Sequence, residues 1–296
     1  MRHLENAFKF TFKNFLLTLP LLISLAIPAL ISGVGSLGIV ANSGAIAENF
    51  KRIIENSAYD GGIPNYGDLF AGLDLGTFIA SSIISGLLSF VLMILVKPAT
   101  FGFINLHYET GNAKLNDFTR CMSKYIGRFV LFGLLNIAFA IGLGVVLLIL
   151  VIIGGVVSSA STGLGVLLVI LFVLAFFVGV VVLFNYLNLW FPAVCVEDSD
   201  IIQGLKNSFR TVRGSFWPIL GITLLVTFGA GVARLILGSV IGVIPVIGSI
   251  VAPIISGLAE FILMVYYFEV YREKTGRYTL PEPPPQFGGF QDGGVQ

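Results

Sequence analysis

The chain has 296 residues, of which 56% are apolar and only 11% are charged, and its formal net charge is +1. A soluble domain carries about 25% charged residues, so this composition excludes an ordinary water-soluble fold. Nucleic-acid binding needs many basic groups aimed at phosphates, and the small net charge argues against a nucleic-acid partner. The composition favours one all-α, polytopic membrane domain.

The first apolar segment follows a basic N-terminal stretch and runs over residues 15–41. A signal peptide has an apolar stretch of only about 7–15 residues, whereas this one is long enough to cross a bilayer. We therefore expect a retained first transmembrane helix, although residues 45–47 are similar to a signal-peptidase site. The loop that follows should hold a short amphipathic helix around Phe50 and then turns over residues 60–68.

The later apolar segments predict five further crossings. From Phe129 to Val196 the sequence contains no Asp, Glu, Lys, Arg or His. A bilayer core is about 30 Å thick and is crossed by about 20 apolar residues, so this run must cross twice and turn within residues 158–163. The six predicted helices cover about residues 15–41, 75–96, 129–157, 164–190, 216–242 and 247–271.

These helices define a predicted transmembrane domain over residues 1–280, followed by a disordered tail rich in Pro and Gly over residues 281–296. Most of the 17 basic residues lie in the tails and in the segments after helices two and four, with Lys97 assigned to one of these flanks. The opposite side has Lys51 and Arg52. The positive-inside rule then places both termini in the cytoplasm. The expected location is the plasma membrane, which is the inner membrane in a Gram-negative cell.

The six helices are predicted to pair as three hairpins, each preceded by a basic amphipathic segment. Aromatic residues recur seven positions apart in these segments, which places them on one face of a helix. Such a helix lies in the headgroup layer, with its basic groups toward anionic lipid. The alternative is that any cytoplasmic flank collects basic and aromatic residues. The candidate lipid-interface residues are Lys9, Lys13, Arg120, Lys124, Arg210, Arg213 and Trp217.

Residues 192–217 carry an acidic residue after helix four, a short helix ending in a basic residue and Gly, and an aromatic pair that opens helix five. This pattern resembles the glycerophosphoryl diester phosphodiesterase membrane-domain family and related six-helix membrane proteins. The spacing of Pro98, Gly102, Gly111 and Phe118 fits the same pattern. The resemblance implies a six-helix integral membrane fold. It carries no active-site residue, because the catalytic barrel found beside this domain in some relatives has no counterpart in this sequence.

Ionisable residues within a bilayer are costly and mark candidate functional sites. Arg234 in helix five and Glu260 in helix six predict a site for an ion, a proton or a polar headgroup. The alternatives are a buried pair that locks two helices, or an arginine that extends to the interface. Asn136, Asn185 and Asn188 either hydrogen-bond between packed helices or line a solute path.

Three classes of function follow from these features. The leading hypothesis is a non-catalytic membrane module, without a cofactor or metal, that organises membrane lipids, including anionic ones, or partner membrane proteins. The alternative is a small transporter or channel that uses Arg234 and Glu260. The third class is a membrane enzyme, which would need several acid, base or metal-binding groups close together. Only Glu260 lies deep enough in a predicted helix to serve as one of them.

Reporter fusions test the predicted topology. A reporter that is active only in the cytoplasm is expected to be active at both ends of the chain, because six crossings return it to the same side. The same reporter inserted within residues 60–68 is expected to be inactive. Activity at only one end in intact cells would contradict six crossings.

Overall fold

The computed structural model describes residues 2–60, 74–160, 162–241 and 245–277, and nearly all of these are helical, with no strand among them. The predicted all-α class is therefore confirmed. Most of the predicted turn region at residues 60–68 and the tail at 281–296 lie outside the described residues. The α-helices over these ranges are α1 (Arg2–Lys13), α2 (Leu19–Ala41), α3 (Ser43–Asp60), α4 (Leu75–Thr110), α5 (Phe118–Ala160), α6 (Thr162–Leu187), α7 (Trp190–Glu197), α8 (Ile201–Arg213), α9 (Phe216–Ile241) and α10 (Pro245–Lys274).

Within the described residues, six helices are long and apolar enough to cross a membrane, namely α2, α4, α5, α6, α9 and α10. Their number agrees with the sequence prediction and fits a multi-pass membrane protein. The long uncharged run is divided between α5, which ends at Ala160, and α6, which begins at Thr162. These two helices pack against each other, as α2 does against α4 and α9 against α10.

The chain bends between α1 and α2. A short 3-10 turn over Phe15–Leu17 follows α1, and the Thr18 hydroxyl donates to the Phe15 carbonyl over 2.6 Å. Consequently α2 begins at Leu19 rather than near residue 15, and Pro20 falls in its first turn. A proline is tolerated there, because the N–H that it lacks has no partner within the helix.

The second transmembrane helix is longer than predicted. It was expected to end near residue 96, but α4 continues through Lys97 and Pro98 to Thr110, where Gly111 ends it at φ 71°. The prediction treated Lys97 as the point where the chain leaves the membrane. In the structure its ammonium has a carboxylate partner on α10, and the following residues are buried against other helices, so packing outweighs the proline signal.

The interfacial segment that was predicted before the third transmembrane helix is part of that helix rather than a separate element. Phe118 and Tyr125 belong to the first turns of α5, which is one continuous helix of 43 residues. At 1.5 Å per residue, a helix of this length extends for about 65 Å, roughly twice the thickness of a bilayer core. The first turns of α5 pack on the buried core of the molecule, which we call the inner core, whereas most of its later side chains are exposed.

The tightly packed core lies at one end of the molecule, where the second half of α4, the start of α5, α7, α8 and the second half of α10 meet. Its largest fully buried side chains include Trp190, Phe191, Tyr266 and Phe103. The Trp190 indole N–H donates to the Ile201 carbonyl over 2.7 Å and so links α7 to α8.

Buried polar contacts tie the end of α10 to this core. The Glu197 carboxylate at the end of α7 accepts hydrogen bonds from the Tyr271 hydroxyl and the Asn207 amide. The Arg272 guanidinium donates to Asn105 of α4 over 2.8 Å. The half-buried Glu197 carboxylate and the buried Arg272 guanidinium therefore both have hydrogen-bond partners, which offset part of the cost of removing their charges from water.

Removing the central aromatic side chain of this core is expected to destabilise the protein strongly. Trp190→Ala should lower the free energy of unfolding by about 3–5 kcal/mol, because it leaves a cavity and removes the hydrogen bond to the Ile201 carbonyl. The matched control is Trp217→Ala, since Trp217 is 77% exposed and its loss should cost less than about 0.5 kcal/mol. Thermal unfolding in detergent measures both, and equal losses would contradict this core.

Candidate functional site

A cavity of about 570 Å³ lies within the membrane-spanning part, between α4, α5, α6, α9 and α10. Most of its wall is aromatic or aliphatic, with contributions from Phe101, Phe129, Phe132 and Met264. We call it the central cavity. Its polar lining residues are Lys97, Asn136, Asn188, Thr223, Glu260 and Tyr267.

The charged groups on its wall form an ion pair. The Lys97 ammonium lies 2.5 Å from a carboxylate oxygen of Glu260, and the two side chains are 15% and 34% exposed. Glu260 lies halfway along α10, far from either end of a membrane-spanning helix. In hydrocarbon, charged residues pair with one another or line polar pathways, and Lys97 and Glu260 pair with each other.

The pairing of Arg234 with Glu260, which the sequence left open, does not occur. A guanidinium nitrogen of Arg234 donates instead to the Ser256 hydroxyl over 3.3 Å. Arg234 lines a different cavity, next to Phe228 and Leu235 of its own helix. Sequence reasoning missed Lys97 as the partner of Glu260, because Lys97 followed by Pro98 is typical of a helix end. The signal that could have revealed it is the long apolar stretch that continues beyond Pro98.

The three asparagines have different surroundings. Asn136 and Asn188 line the central cavity, and the Asn136 amide donates to the Phe132 carbonyl over 2.8 Å. Asn185 is 2% exposed and donates to the Phe216 carbonyl over 3.1 Å, so it links α6 to the start of α9. Of the five intramembrane candidates, Glu260, Asn136 and Asn188 therefore share the central cavity, while Arg234 and Asn185 do not.

A hydroxyl pair completes the polar part of the cavity wall. The Thr223 hydroxyl of α9 and the Tyr267 hydroxyl of α10 lie 2.9 Å apart. Sequence analysis did not single out Thr223, and it took Tyr267 only as part of an aromatic belt. The two residues meet because α9 packs against α10.

The N-terminal candidates lie on α1, a helix with two distinct faces. One face is buried, with Ala7 and Thr11 fully covered and the Phe10 ring stacked on Tyr108 at 5.4 Å. On the other face, Phe12 is 68% exposed and stacks on Phe8 at 6.4 Å. Lys9 and Lys13 are exposed beside these rings. We call the exposed face with Phe8, Lys9, Phe12 and Lys13 the α1 surface.

A buried carboxylate holds α1 in place. Glu269 of α10 is 4% exposed and accepts from the Tyr108 hydroxyl at 2.8 Å and the Asn6 amide at 3.1 Å. A ring nitrogen of His3 lies 3.4 Å from the same carboxylate, and the other ring nitrogen pairs with Glu273. Sequence patterns could not reveal this contact, because it joins residues from opposite ends of the chain.

A similar two-faced helix precedes α9. The short helix predicted within residues 192–217 is confirmed as α8, whose buried face contains Gly204, Ser208 and Val212. Arg210 and Arg213 are exposed near its end. Together with Phe209, which is 38% exposed, and Trp217, these arginines form what we call the α8 surface.

The candidates at the start of α5 are arranged differently. Arg120 is exposed, whereas Lys124 lies 3.6 Å from a carboxylate oxygen of Asp198. Arg128 lies 2.5 Å from the other oxygen, and its hydrogen bond holds the pKa of Asp198 below its usual value. Lys124 therefore helps to bind α5 to the junction between α7 and α8, and Arg120 is the freer of the two to face lipid.

The intramembrane ion pair makes a clear mutational prediction. Breaking a buried pair from one side costs about 3–5 kcal/mol, because the other charge is left unpaired. With Glu260 one-third exposed, Lys97→Met should lower the free energy of unfolding by an amount at the lower end of that range. The double variant Lys97→Met/Glu260→Met should recover most of the loss. Thermal unfolding of the two single variants and the double variant tests this, and additive losses would contradict the pairing.

Comparison with known families gives one match, and no curated protein or solved structure matches the chain. A domain of unknown function, DUF7847, matches residues 65–273. This range begins before α4 and ends within α10, so it includes all the helices that form the central cavity and the α8 surface, but not α1. The chain belongs to the DUF7847 family.

Proposed function

We propose that this protein is a non-catalytic, multi-pass membrane module that binds and organises lipid at the cytoplasmic leaflet. The observation that carries the proposal is the form of α1 and α8. Each buries one face in the inner core and leaves basic and aromatic side chains on the other. A helix with these two faces lies in the plane of the interface, and its basic groups attract anionic lipid.

The proposal includes the predicted topology. The exposed basic residues of α1, of the start of α5 and of α8 all belong to the end of the molecule where the inner core lies. The positive-inside rule favours the cytoplasm for such an end, with the helices paired as three hairpins in the plasma membrane. The resemblance to the glycerophosphoryl diester phosphodiesterase membrane-domain family supports a six-helix membrane fold and carries over no catalytic residue.

A second function, transport, is favoured by the Lys97–Glu260 pair. Lys97 and Glu260 are ionisable groups that pair within a mostly apolar part of the helical bundle. Ionisable residues in such positions often belong to the ion or proton pathways of transporters. Proton or solute flux in reconstituted liposomes that disappears in Glu260→Gln would support transport over the lipid-binding role.

Lipid enrichment tests the proposed function. The protein is reconstituted in bilayers of phosphatidylcholine with a minority of phosphatidylglycerol, extracted gently, and its retained lipids are measured by mass spectrometry. Anionic lipid should be enriched, because each basic residue near an anionic surface contributes about 1 kcal/mol. Replacing Lys9, Lys13, Arg210 and Arg213 by Gln should remove most of this enrichment.

The matched control for these substitutions is Lys51→Gln/Arg52→Gln on α3, which is expected to leave the enrichment unchanged. Both variants should retain the helical content of the native protein, since all the replaced side chains are exposed. Retained lipid of the same composition as the bilayer, in the native protein, would overturn the proposal.

A further inference from the structure

We propose that the central cavity is a binding site for an uncharged, single-chain amphiphile whose head carries hydroxyl groups, as in a monoacylglycerol. This inference deepens the proposed lipid-binding role and rests on the chain lying in a bilayer. It concerns a site inside the helical bundle, distinct from the α1 and α8 surfaces at the interface.

The mouth of the cavity faces the bilayer interior. Several of its apolar lining residues are also on the outer surface of the bundle, with Phe90 60% exposed, Ile137 54% and Phe184 53%. They lie on α4, α5 and α6, helices that are apolar enough to cross the membrane. An occupant therefore reaches the cavity sideways from the acyl-chain region, which selects a lipid-like molecule over a water-soluble one.

The size of the cavity fits one chain. Its volume of about 570 Å³ is within the range of about 300–1,000 Å³ that is usual for small-molecule sites. Sites of this volume hold ligands of about the size of a drug molecule. A single alkyl chain with a small head is nearer to that size than a phospholipid with two chains.

The charges of the wall select an uncharged head. Among the cavity's lining residues, Lys97 and Glu260 carry charge, and they neutralise each other at 2.5 Å. A carboxylate or phosphate on the ligand would bring an additional charge into a region of low dielectric, where an unpaired charge is strongly unfavourable. An uncharged head avoids this cost and leaves the ion pair intact.

Hydroxyl groups match the remaining polar atoms. A hydroxyl both donates and accepts, so it can accept from the Lys97 ammonium and donate to the Glu260 carboxylate at the same time. Asn136 uses its amide N–H on the Phe132 carbonyl, which leaves its amide oxygen as an acceptor for a ligand hydroxyl. Asn188 and the hydroxyls of Thr223 and Tyr267 add further polar groups on the same wall.

Four single-chain probes with the same acyl chain separate the headgroup classes. They are a monoacylglycerol, a free fatty acid, a lysophosphatidylglycerol and a lysophosphatidylcholine. Each is titrated into the full-length protein in detergent, and its dissociation constant is measured by native mass spectrometry. We expect saturable binding of one monoacylglycerol per chain, at least tenfold tighter than that of any charged or zwitterionic probe.

A glycine pair tests whether binding occurs in the cavity. Gly133 lines the cavity, and a Cβ added there would meet open space, so the side chain of Gly133→Leu should fill part of the site. Gly179 of α6 also has open space around it but is exposed outside the cavity, and Gly179→Leu is the matched control. We expect a loss of at least tenfold in monoacylglycerol affinity for the first variant and no change for the second.

A second variant tests the polar wall without adding bulk. Lys97→Gln/Glu260→Gln keeps the shape and neutrality of the pair but removes its charge-assisted hydrogen bonds, and it should weaken monoacylglycerol binding about tenfold. If Gly133→Leu does not fold, this variant still tests whether the cavity is the binding site. Equal affinity of either folded variant and the native protein would overturn the cavity as the site.

The remaining outcomes separate this inference from the proposed function. Equal or tighter binding of the fatty acid or a lysophospholipid would overturn the uncharged class, while enrichment of anionic lipid at the α1 and α8 surfaces would still stand. No saturable binding of any of the four probes would overturn the inference in full. The lipid-enrichment experiment decides the proposed function independently, because its variants lie outside the cavity.

Discussion

A hydrocarbon environment requires every backbone polar group and every charge within it to have a partner, and this requirement shapes the whole molecule. The backbone meets it by forming helices over almost all the described residues. The side chains meet it at the Lys97–Glu260 pair, which joins α4 to α10. Because the Lys97 and Glu260 charges neutralise each other, the other residues around the pair can be apolar, and these residues line the central cavity.

The packed core at one end of the molecule is joined to the membrane-spanning helices through α10. Helix α10 is the shared element, since it contacts α1, α2, α7 and α9 and also contributes Glu260 and Tyr267 to the cavity. Near its end, Glu269 fixes α1 and Tyr271 contacts Glu197 of α7. The α1 surface and the central cavity are therefore connected through one helix. A lipid-binding role at the interface and a ligand site within the bundle are compatible uses of this arrangement.

The candidate residues show how far pattern reasoning reaches. Arg234 and Glu260 stand out in the sequence as charges within apolar helices, because hydropathy alone reveals a charge in an apolar segment. Their partners could not be predicted in the same way, since Ser256 is one helix away and Lys97 is more than one hundred positions from Glu260. Lys97 was assigned to a membrane flank because charge and proline together normally mark a helix end. Packing of the residues after Pro98 overrode that local signal.

The sequence by itself determined the number of helices that are long and apolar enough to cross a membrane, and the helix α8, because these depend on hydrophobic length and on helical periodicity. Only the tertiary structure decided that α4 continues to Thr110, that Glu260 pairs with Lys97, and that Asn136 and Asn188 line a cavity while Asn185 does not. The reason is physical: which face of a helix meets which neighbour depends on contacts between residues far apart along the chain.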